Sequence, residues 1–146
     1  MGVNTAFHEG EQALQRLTGA YEQLAAIGPR VIRDHMPEQH REFFTQLPFV
    51  LTGSLDASGQ PWAGVLAGPR GFIESPDART LSIHARPLPH DPLAANLAAG
   101  APIGLLGIEP HTRRRNRANG RVLQVDPHEL LIPLETLFPL LISVCA

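Results

Sequence analysis

The sequence predicts a mainly β protein of the α+β class, built as a small antiparallel barrel of roughly six strands with helices at its N-terminal end and one short inserted helix. From Phe49 onward, short apolar runs alternate with turn residues, which is typical of strands. Apolar residues at helical spacing are confined to the residues before Pro48 and to the few that follow Asp91-Pro92. A barrel is favoured over an open sheet because closure leaves no strand edge free to pair with another chain.

Two helices are predicted in the N-terminal segment. The first spans residues 9–26, and Gly28-Pro29 is expected to end it. Its apolar stripe consists of residues three or four positions apart: Leu14, Leu17, Tyr21 and Leu24. The second spans residues 37–46, and its core-facing residues are Phe43, Phe44 and Leu47. We expect one domain, residues 1–146, with the helical segment 1–47 packed on the barrel.

The strand signals begin with a hairpin in which residues 49–55 and 62–67 pair around the turn Asp56–Gly59. The further predicted strands are residues 72–73, 80–84, 103–108, 112–118, 121–125 and 130–132. Residues 75–77 are expected to form a turn and 86–90 a proline-rich loop. Asp91 is predicted to cap a short helix that ends near Gly100. The glycines of segment 103–108 suggest a strand that another element approaches closely.

A dense arginine cluster follows this strand. All 12 basic residues are arginine, and five of them lie between Arg113 and Arg121, although the chain as a whole carries a net charge of −2. Asn119-Gly120 is a strong signal for a type I′ hairpin turn. On a strand leading to that turn, Arg113, Arg115 and Arg117 would line one face, and Arg114 and Asn116 the other. Three unpaired guanidiniums are too costly to bury, so at least one face meets water, carboxylates or an anionic ligand.

Other chemistries find little support. The seven histidines are scattered over loops and element ends, and neither a helical His pair nor a Cys/His cluster is present, so no metal site is predicted. A Gly-x-Ser-x-Gly motif and a glycine-rich phosphate loop are both missing. The catalytic residues therefore stay unassigned.

The arginine cluster admits three interpretations. It is a solvated edge strand, a nucleic-acid surface, or a site for a small phosphorylated ligand. A nucleic-acid surface needs stacking aromatic residues, yet none lies between Phe72 and Phe138. The small phosphorylated ligand fits best, because one or two guanidiniums with neighbouring backbone donors suffice for a phosphate.

The remaining signals concern the compartment. The single cysteine, Cys145, excludes an internal disulfide, and the N-terminal residues lack the apolar segment of a signal peptide. The longest apolar run, residues 137–145, is interrupted by Pro139 and is too short to span a bilayer. We expect a soluble, cytoplasmic protein without a membrane partner.

The order of motifs resembles the pyridoxamine 5′-phosphate oxidase-like flavoproteins, which are FMN-binding split barrels, and in particular the bacterial branch with an N-terminal Phe-His-x-Gly-Glu segment. The resemblance covers roughly residues 7–125 and depends on shared order rather than on any one motif. It is carried by Phe7-His8-Glu9-Gly10-Glu11, by Gly59-Gln60-Pro61-Trp62-Ala63, and by segments 36–44, 66–69, 91–94, 104–109 and 112–122.

This resemblance implies a six-stranded split barrel and a homodimer with FMN at the subunit interface. It also implies a flavin-dependent oxidoreductase supplied with electrons by NAD(P)H or a reductase partner, and no nucleic-acid partner. The flavin ring would lie along strand 62–67 and the following strand, with the phosphate at the arginines. The implied cofactor-binding residues are Trp62, Ala63, Gly64, Val65, Leu66, His84, Ala85, Arg86, Arg113, Arg115, Asn116 and Arg117.

The chain departs from the family pattern in two places. Relatives often carry Ser, Arg or Lys at the start of the short helix, whereas this chain has Asp91, which caps the helix but repels an anion. The phosphate would then depend on the arginine strand and on Arg86. The apolar tail, residues 133–146, has no counterpart in the family pattern and is expected to be buried. These departures keep a second function open, that of a non-catalytic module that binds a flavin or a phosphorylated ligand.

Overall fold

The computed structural model describes residues 7, 9–31, 33–126 and 128–141, and for residues 29–31, 124, 125 and 136–141 it describes only the backbone. The chain forms two compact units, residues 1–33 and 34–146. The first unit contains helices α1 (Glu9–Leu17) and α2 (Tyr21–Val31). Within this unit, the Arg16 guanidinium lies 4.3 Å from the centre of the Tyr21 ring.

The prediction of one helix over residues 9–26 is wrong, because the helix is interrupted between Leu17 and Tyr21. Gly19 adopts a φ of 73°, the left-handed conformation that commonly follows the last turn of a helix. The Thr18 hydroxyl donates to the Leu14 carbonyl at 3.1 Å and so competes for the acceptors of that turn. Gly28 has no such left-handed backbone, and α2 continues through it to Val31.

The second unit begins with helix α3 (Glu38–Gln46), close to its predicted bounds. The strands that follow are β1 (Phe49–Leu55), β2 (Pro61–Ala67), β3 (Ile73–Asp77), β4 (Thr80–Ile83), β5 (Pro102–Glu109), β6 (Arg114–Arg121), β7 (Gln124–Val125) and β8 (Leu130–Leu141). Helix α4 (Pro92–Asn96) lies between β4 and β5 and ends before the predicted Gly100. Asp91 caps α4 as predicted, because its Oδ1 accepts the Leu93 N–H at 2.8 Å.

The strands form one antiparallel sheet in the order β2-β1-β5-β6-β8-β4-β3, and β7 pairs separately with β8. The mainly β fold is confirmed, although the path contains seven strands instead of six. Its two ends, β2 and β3, share no strand pairing within the described residues. The segment 75–77, predicted as a turn, belongs to β3 and contains an irregularity in its pairing with β4.

The core lies on the inner face of this sheet and beneath α3. Phe43 and Phe44 are buried, as predicted, with their rings edge to face at 5.6 Å. Complete burial of an aromatic side chain of this size stabilises the fold by about 1.5–3 kcal/mol. A Cβ at Gly107 would stand 2.8 Å from Phe43 and 3.1 Å from Phe44. The absence of a side chain at Gly107 therefore allows α3 to pack closely against β5. The close approach expected of segment 103–108 is therefore made by α3.

The predicted turn at Asn119-Gly120 is wrong, because β6 runs straight through both residues and pairs with β5 on one side and β8 on the other. Gly120 instead lies at an irregularity in the β6–β8 pairing, where Asn119 is opposite Thr136 and Gly120 is opposite Leu134. A Cβ at residue 120 would collide with the Pro133 carbonyl group. Glycine is therefore needed here because the backbone of β8 comes close to β6 at a bulge. The sequence pattern of such a bulge is the same as that of a hairpin turn.

The tail also differs from its prediction. Strand β8 continues past residue 132 to Leu141, pairing with β4 over its first part and with β6 over its second. Within the tail, Leu134 is 8% exposed, which agrees with the expected burial at that residue. Cys145 lies outside the described residues.

Candidate functional site

The arginine cluster is divided by the turn that precedes β6. Arg113, with a φ of 57°, belongs to that turn and not to the strand. From Arg114 on, side chains alternate: Asn116 is buried on the inner side, while Arg115 and Arg117 lie on the outer face. Arg114 shares the side of Asn116, and its guanidinium lies 5.0 Å from the centre of the Phe43 ring. Two of the predicted arginines, Arg115 and Arg117, therefore remain together, about 7 Å apart along the strand.

These two arginines differ in their partners. The Nε atom of Arg115 is buried and has no hydrogen-bond acceptor among the described residues. A buried donor without an acceptor is costly, and its burial also keeps an added anion from meeting this Nε–H directly. Arg117 donates its Nε–H to Asn119 Oδ1 at a long 3.4 Å, whereas Arg121 forms an ion pair of 3.0 Å with Glu135.

A trough of about 390 Å³ lies beside Arg117 on the outer face of the sheet. Its floor contains Gly53 of β1 and Gly104 of β5, which are direct neighbours, and Asn119 is opposite Gly104. Leu55 and Pro102 are among the apolar residues at its side. Sequence reasoning missed this trough because glycines far apart in the chain become neighbours only when the strand register is known.

The predicted residues of β2 alternate between the two sides of an edge strand. Leu66 is fully buried and Val65 is 49% exposed. Gly64 faces inward, and a Cβ there would stand 2.9 Å from Thr52 Oγ1 and 3.4 Å from Asp91 Oδ1. The Asp91 carboxylate therefore lies against the very strand that the family resemblance assigns to the flavin, and it disfavours an anion at that point.

Trp62, at the beginning of β2, is tied to the β1–β2 turn. Its indole N–H donates to Asp56 Oδ2 at 3.0 Å. Asp56 Oδ1 also accepts hydrogen bonds from Ser58 and from the Gln60 N–H. These donors, Trp62 foremost, stabilise the carboxylate and lower the pKa of Asp56 from 3.8 to about 2. Trp62 thereby acts as a structural anchor of the hairpin.

His84 is held in a separate polar group at the end of β4. Its Nε2 lies 3.3 Å from the hydroxyl of Ser82 and 3.4 Å from Glu74 Oε2. Ser82, only 1% exposed, donates its hydroxyl proton to Glu129. Ala85 packs against the core, and Arg86 donates to the Asp126 carbonyl at 2.9 Å. The interaction with Asp126 fixes one Arg86 nitrogen away from any added phosphate.

The predicted site residues therefore form three groups. Strands β1 and β5 separate the β2 residues from β6, and β8 separates β6 from β4. Of these predicted residues, only Arg117 lines the trough on the outer face. Within the described residues, no cluster of three metal-ligating side chains exists, and no helix is long and apolar enough to cross a membrane.

Comparison with known proteins gives a family and a fold. A family model described as pyridoxamine 5′-phosphate oxidase matches residues 36–136. A protein from Lactobacillus delbrueckii, assigned as a pyridoxamine 5′-phosphate oxidase, superposes with a TM-score of 0.55 at 16% identity over 73% of this chain and 95% of its own. HupZ of Group A Streptococcus gives 0.54 at 15% identity over 72% and 94%. At these identities the structural likeness concerns the fold alone. A search of curated proteins finds no match.

Proposed function

Because the chain belongs to the pyridoxamine 5′-phosphate oxidase family, we propose that it binds FMN and acts as a flavin-dependent oxidoreductase. The observation that carries this proposal is the pair Arg115 and Arg117 on one outer face of β6. A phosphate offers several acceptor oxygens and two negative charges to such a pair.

The charge distribution favours the outer face of β6 over the start of α4 as the phosphate site. At the start of α4, the Asp91 carboxylate already accepts the Leu93 N–H and would repel an anion. On β6, the guanidiniums of Arg115 and Arg117 lie on the same side and attract one. The phosphate site of this chain is accordingly built from strand residues.

The residues of the chain supply binding and orientation. Bound FMN would supply the hydride and electron chemistry that no described side chain offers. NAD(P)H or a reductase partner would deliver the electrons. Arg115 and Arg117 would hold the phosphate, and the apolar outer face would exclude water from the ring.

We propose further that the protein is a homodimer with the flavin at the interface. The outer face of the sheet exposes Val65 by 49% and Leu55 by 46%, while Leu51 and Leu106 are half-buried. A second copy would cover these apolar side chains. Light scattering after size exclusion tests this point; a monomer at micromolar concentration, with and without FMN, would contradict it.

FMN titration followed by quenching of flavin fluorescence tests the cofactor. We expect saturable binding to the wild-type protein, and weakening by about 10–100-fold in Arg115→Ala and Arg117→Ala, because a charged hydrogen bond contributes about 1.5–3 kcal/mol. Arg70→Ala removes an exposed arginine outside the trough and serves as the charge-matched control. Failure of the wild-type protein to bind FMN would overturn the proposal.

A second candidate is a non-catalytic binding module. It is favoured because the lining of the trough presents no free acid or base. Its one acidic residue, Glu135, is already ion-paired with Arg121. This function predicts FMN binding without reduction by NADH or NADPH. Steady turnover with either nucleotide would exclude it.

A further inference from the structure

The turn between β5 and β6, residues 110–113, places an arginine in a backbone conformation that favours glycine. Arg113 has a φ of 57° and is the only described residue other than glycine with a positive φ. In this left-handed conformation the Cβ of an L-residue crowds the following carbonyl oxygen, so glycine or asparagine is the more stable choice. The chain has glycine at its other described positions of this kind: Gly19, Gly59, Gly71 and Gly100.

The fold itself does not require an arginine at this position. The Arg113 side chain is exposed, and its guanidinium forms no hydrogen bond or ion pair with any described residue. The turn is closed by the main chain, because the Arg113 N–H donates to the Pro110 carbonyl at 3.3 Å, a bond that any residue except proline could form. A strained backbone that the fold does not need is typical of a binding site.

The acidic residue nearest to this turn does not neutralise it. Glu109 is the only carboxylate between residues 109 and 121. Its side chain accepts the Thr112 hydroxyl and lies 3.9 Å from His111 Nε2, and it forms no ion pair with an arginine among the described residues. The positive charge of Arg113 is therefore available to a partner.

A second exposed arginine stands directly beside Arg113. Arg114 is opposite Glu109 in the β5–β6 pairing, yet its guanidinium is turned toward α3. There it lies 5.0 Å from the centre of the Phe43 ring and 3.5 Å from the Gln39 carbonyl oxygen. These contacts order the Arg114 side chain in advance, which reduces the entropy lost when it binds a further group.

We propose that the tip of the β5–β6 hairpin, residues 111–114, is a docking surface for an acidic segment of a protein partner. Carboxylates of that segment bind the guanidiniums of Arg113 and Arg114, whose planar donor pairs match the two oxygens of a carboxylate. The tip is separate from Arg115 and Arg117, to which the proposed function assigns a phosphate. The docking surface therefore does not depend on flavin binding.

A short acidic peptide suits this surface better than a nucleic acid. No aromatic residue lies between residues 110 and 121, and Phe43 beneath Arg114 is only 1% exposed, so the tip offers no ring on which a base can stack. The chain carries a net charge of −2, which repels a long polyanion that extends beyond the tip. A short acidic segment meets the two arginines without covering the rest of the surface.

NMR titration with a hexaglutamate peptide, in the absence of FMN, tests the proposal. We expect shifts of backbone amides to be concentrated at residues 111–115 and to diminish when the salt concentration is raised from about 0.05 M to about 0.5 M. Arg113→Asn removes the guanidinium and suits the left-handed backbone. Peptide affinity should fall about three- to fivefold in this variant, while Tm should rise by about 2–4 °C. A purely structural arginine would not combine weaker binding with higher stability.

Arg70→Asn is the matched control, because it removes an exposed arginine from another turn where the backbone φ is not positive. We expect its peptide affinity to stay within about 1.5-fold of wild type and its Tm not to rise. Equal peptide affinities of the two variants, a lower Tm in Arg113→Asn, or wild-type shifts outside the tip would overturn the docking surface. The absence of any wild-type shift would also overturn it. Tighter binding of a single-stranded thymidine oligonucleotide of the same charge would replace the acidic partner with a nucleic acid.

Discussion

Trp62 donates its indole N–H to the carboxylate of Asp56 across the β1–β2 hairpin, at 3.0 Å. Trp62 is the one tryptophan of the chain, so its fluorescence reports on a single carboxylate. The hydrogen bond exists with full strength only while Asp56 is ionised. Hairpin order near Trp62 is thereby linked to the protonation of Asp56.

This linkage predicts an acid-dependent loosening of the hairpin. The pKa of Asp56 is lowered in the folded state to about 2 from 3.8, chiefly by the hydrogen bond from Trp62. A lowered carboxyl pKa means that its contribution to stability is present above about pH 4 and is lost as the pH falls through about 2. We expect a reversible change in Trp62 fluorescence with a midpoint near pH 2. Asp56→Asn should remove this transition, and a wild-type midpoint near 3.8 would contradict the assignment.

Gly120→Ala should destabilise the protein, because the added methyl group collides with the backbone of Pro133 in β8. Overpacking of this kind costs about 1–3 kcal/mol. Urea unfolding measures the loss, and Gly53→Ala is the control, since nothing lies within 4 Å of its Cβ position. Equal stabilities of the two variants would show that β8 does not approach β6 at this bulge.

The polar group around Ser82 predicts the tautomer of His84. Ser82 has one hydroxyl proton and donates it to Glu129, so the contact of 3.3 Å between its oxygen and His84 requires a proton on Nε2. Glu74 Oε2, at 3.4 Å from Nε2, favours the same tautomer. We expect the neutral imidazole to be the Nε2–H tautomer in long-range proton–nitrogen spectra.

Removal of the two acceptors tests this arrangement. In the double variant Glu74→Ala with Glu129→Ala, Ser82 becomes free to donate to Nε2, and the population should shift toward the Nδ1–H form. Glu129→Gln keeps an acceptor oxygen and should retain the wild-type tautomer. A wild-type protein already in the Nδ1–H form would refute the proposed direction of the Ser82 hydrogen bond.

Asn116→Ala should leave FMN affinity within about twofold of wild type, whereas Arg115→Ala weakens it. Asn116 is 7% exposed and lies on the inner side of β6, opposite to Arg115. Its Nδ2 has no hydrogen-bond partner among the described residues, so loss of the amide should change stability by less than about 1 kcal/mol. A comparable loss of FMN affinity in both variants would show that the assignment of the phosphate to the outer face of β6 is wrong.

Features that depend only on neighbours along the chain could be predicted from the sequence. The buried pair Phe43 and Phe44 follows from helical spacing, the hairpin β1–β2 from its turn residues, and the Asp91 cap from the acceptor that a helix start requires. The alternation of Arg115 and Asn116 across β6 likewise follows from the geometry of a strand. The fold class and the family motifs could also be predicted, because they too are local patterns along the chain.

Which distant strands meet, and in what register, is seen only in the folded protein. Asn119-Gly120 has the composition of a hairpin turn, but β8 approaches there so closely that Gly120 is needed inside a continuous strand. Gly53 and Gly104 are separated widely in sequence, and only the pairing of β1 with β5 makes them one floor beside Arg117. Strand pairing is set by packing over the whole core, whereas local patterns record only the conformations each segment can adopt.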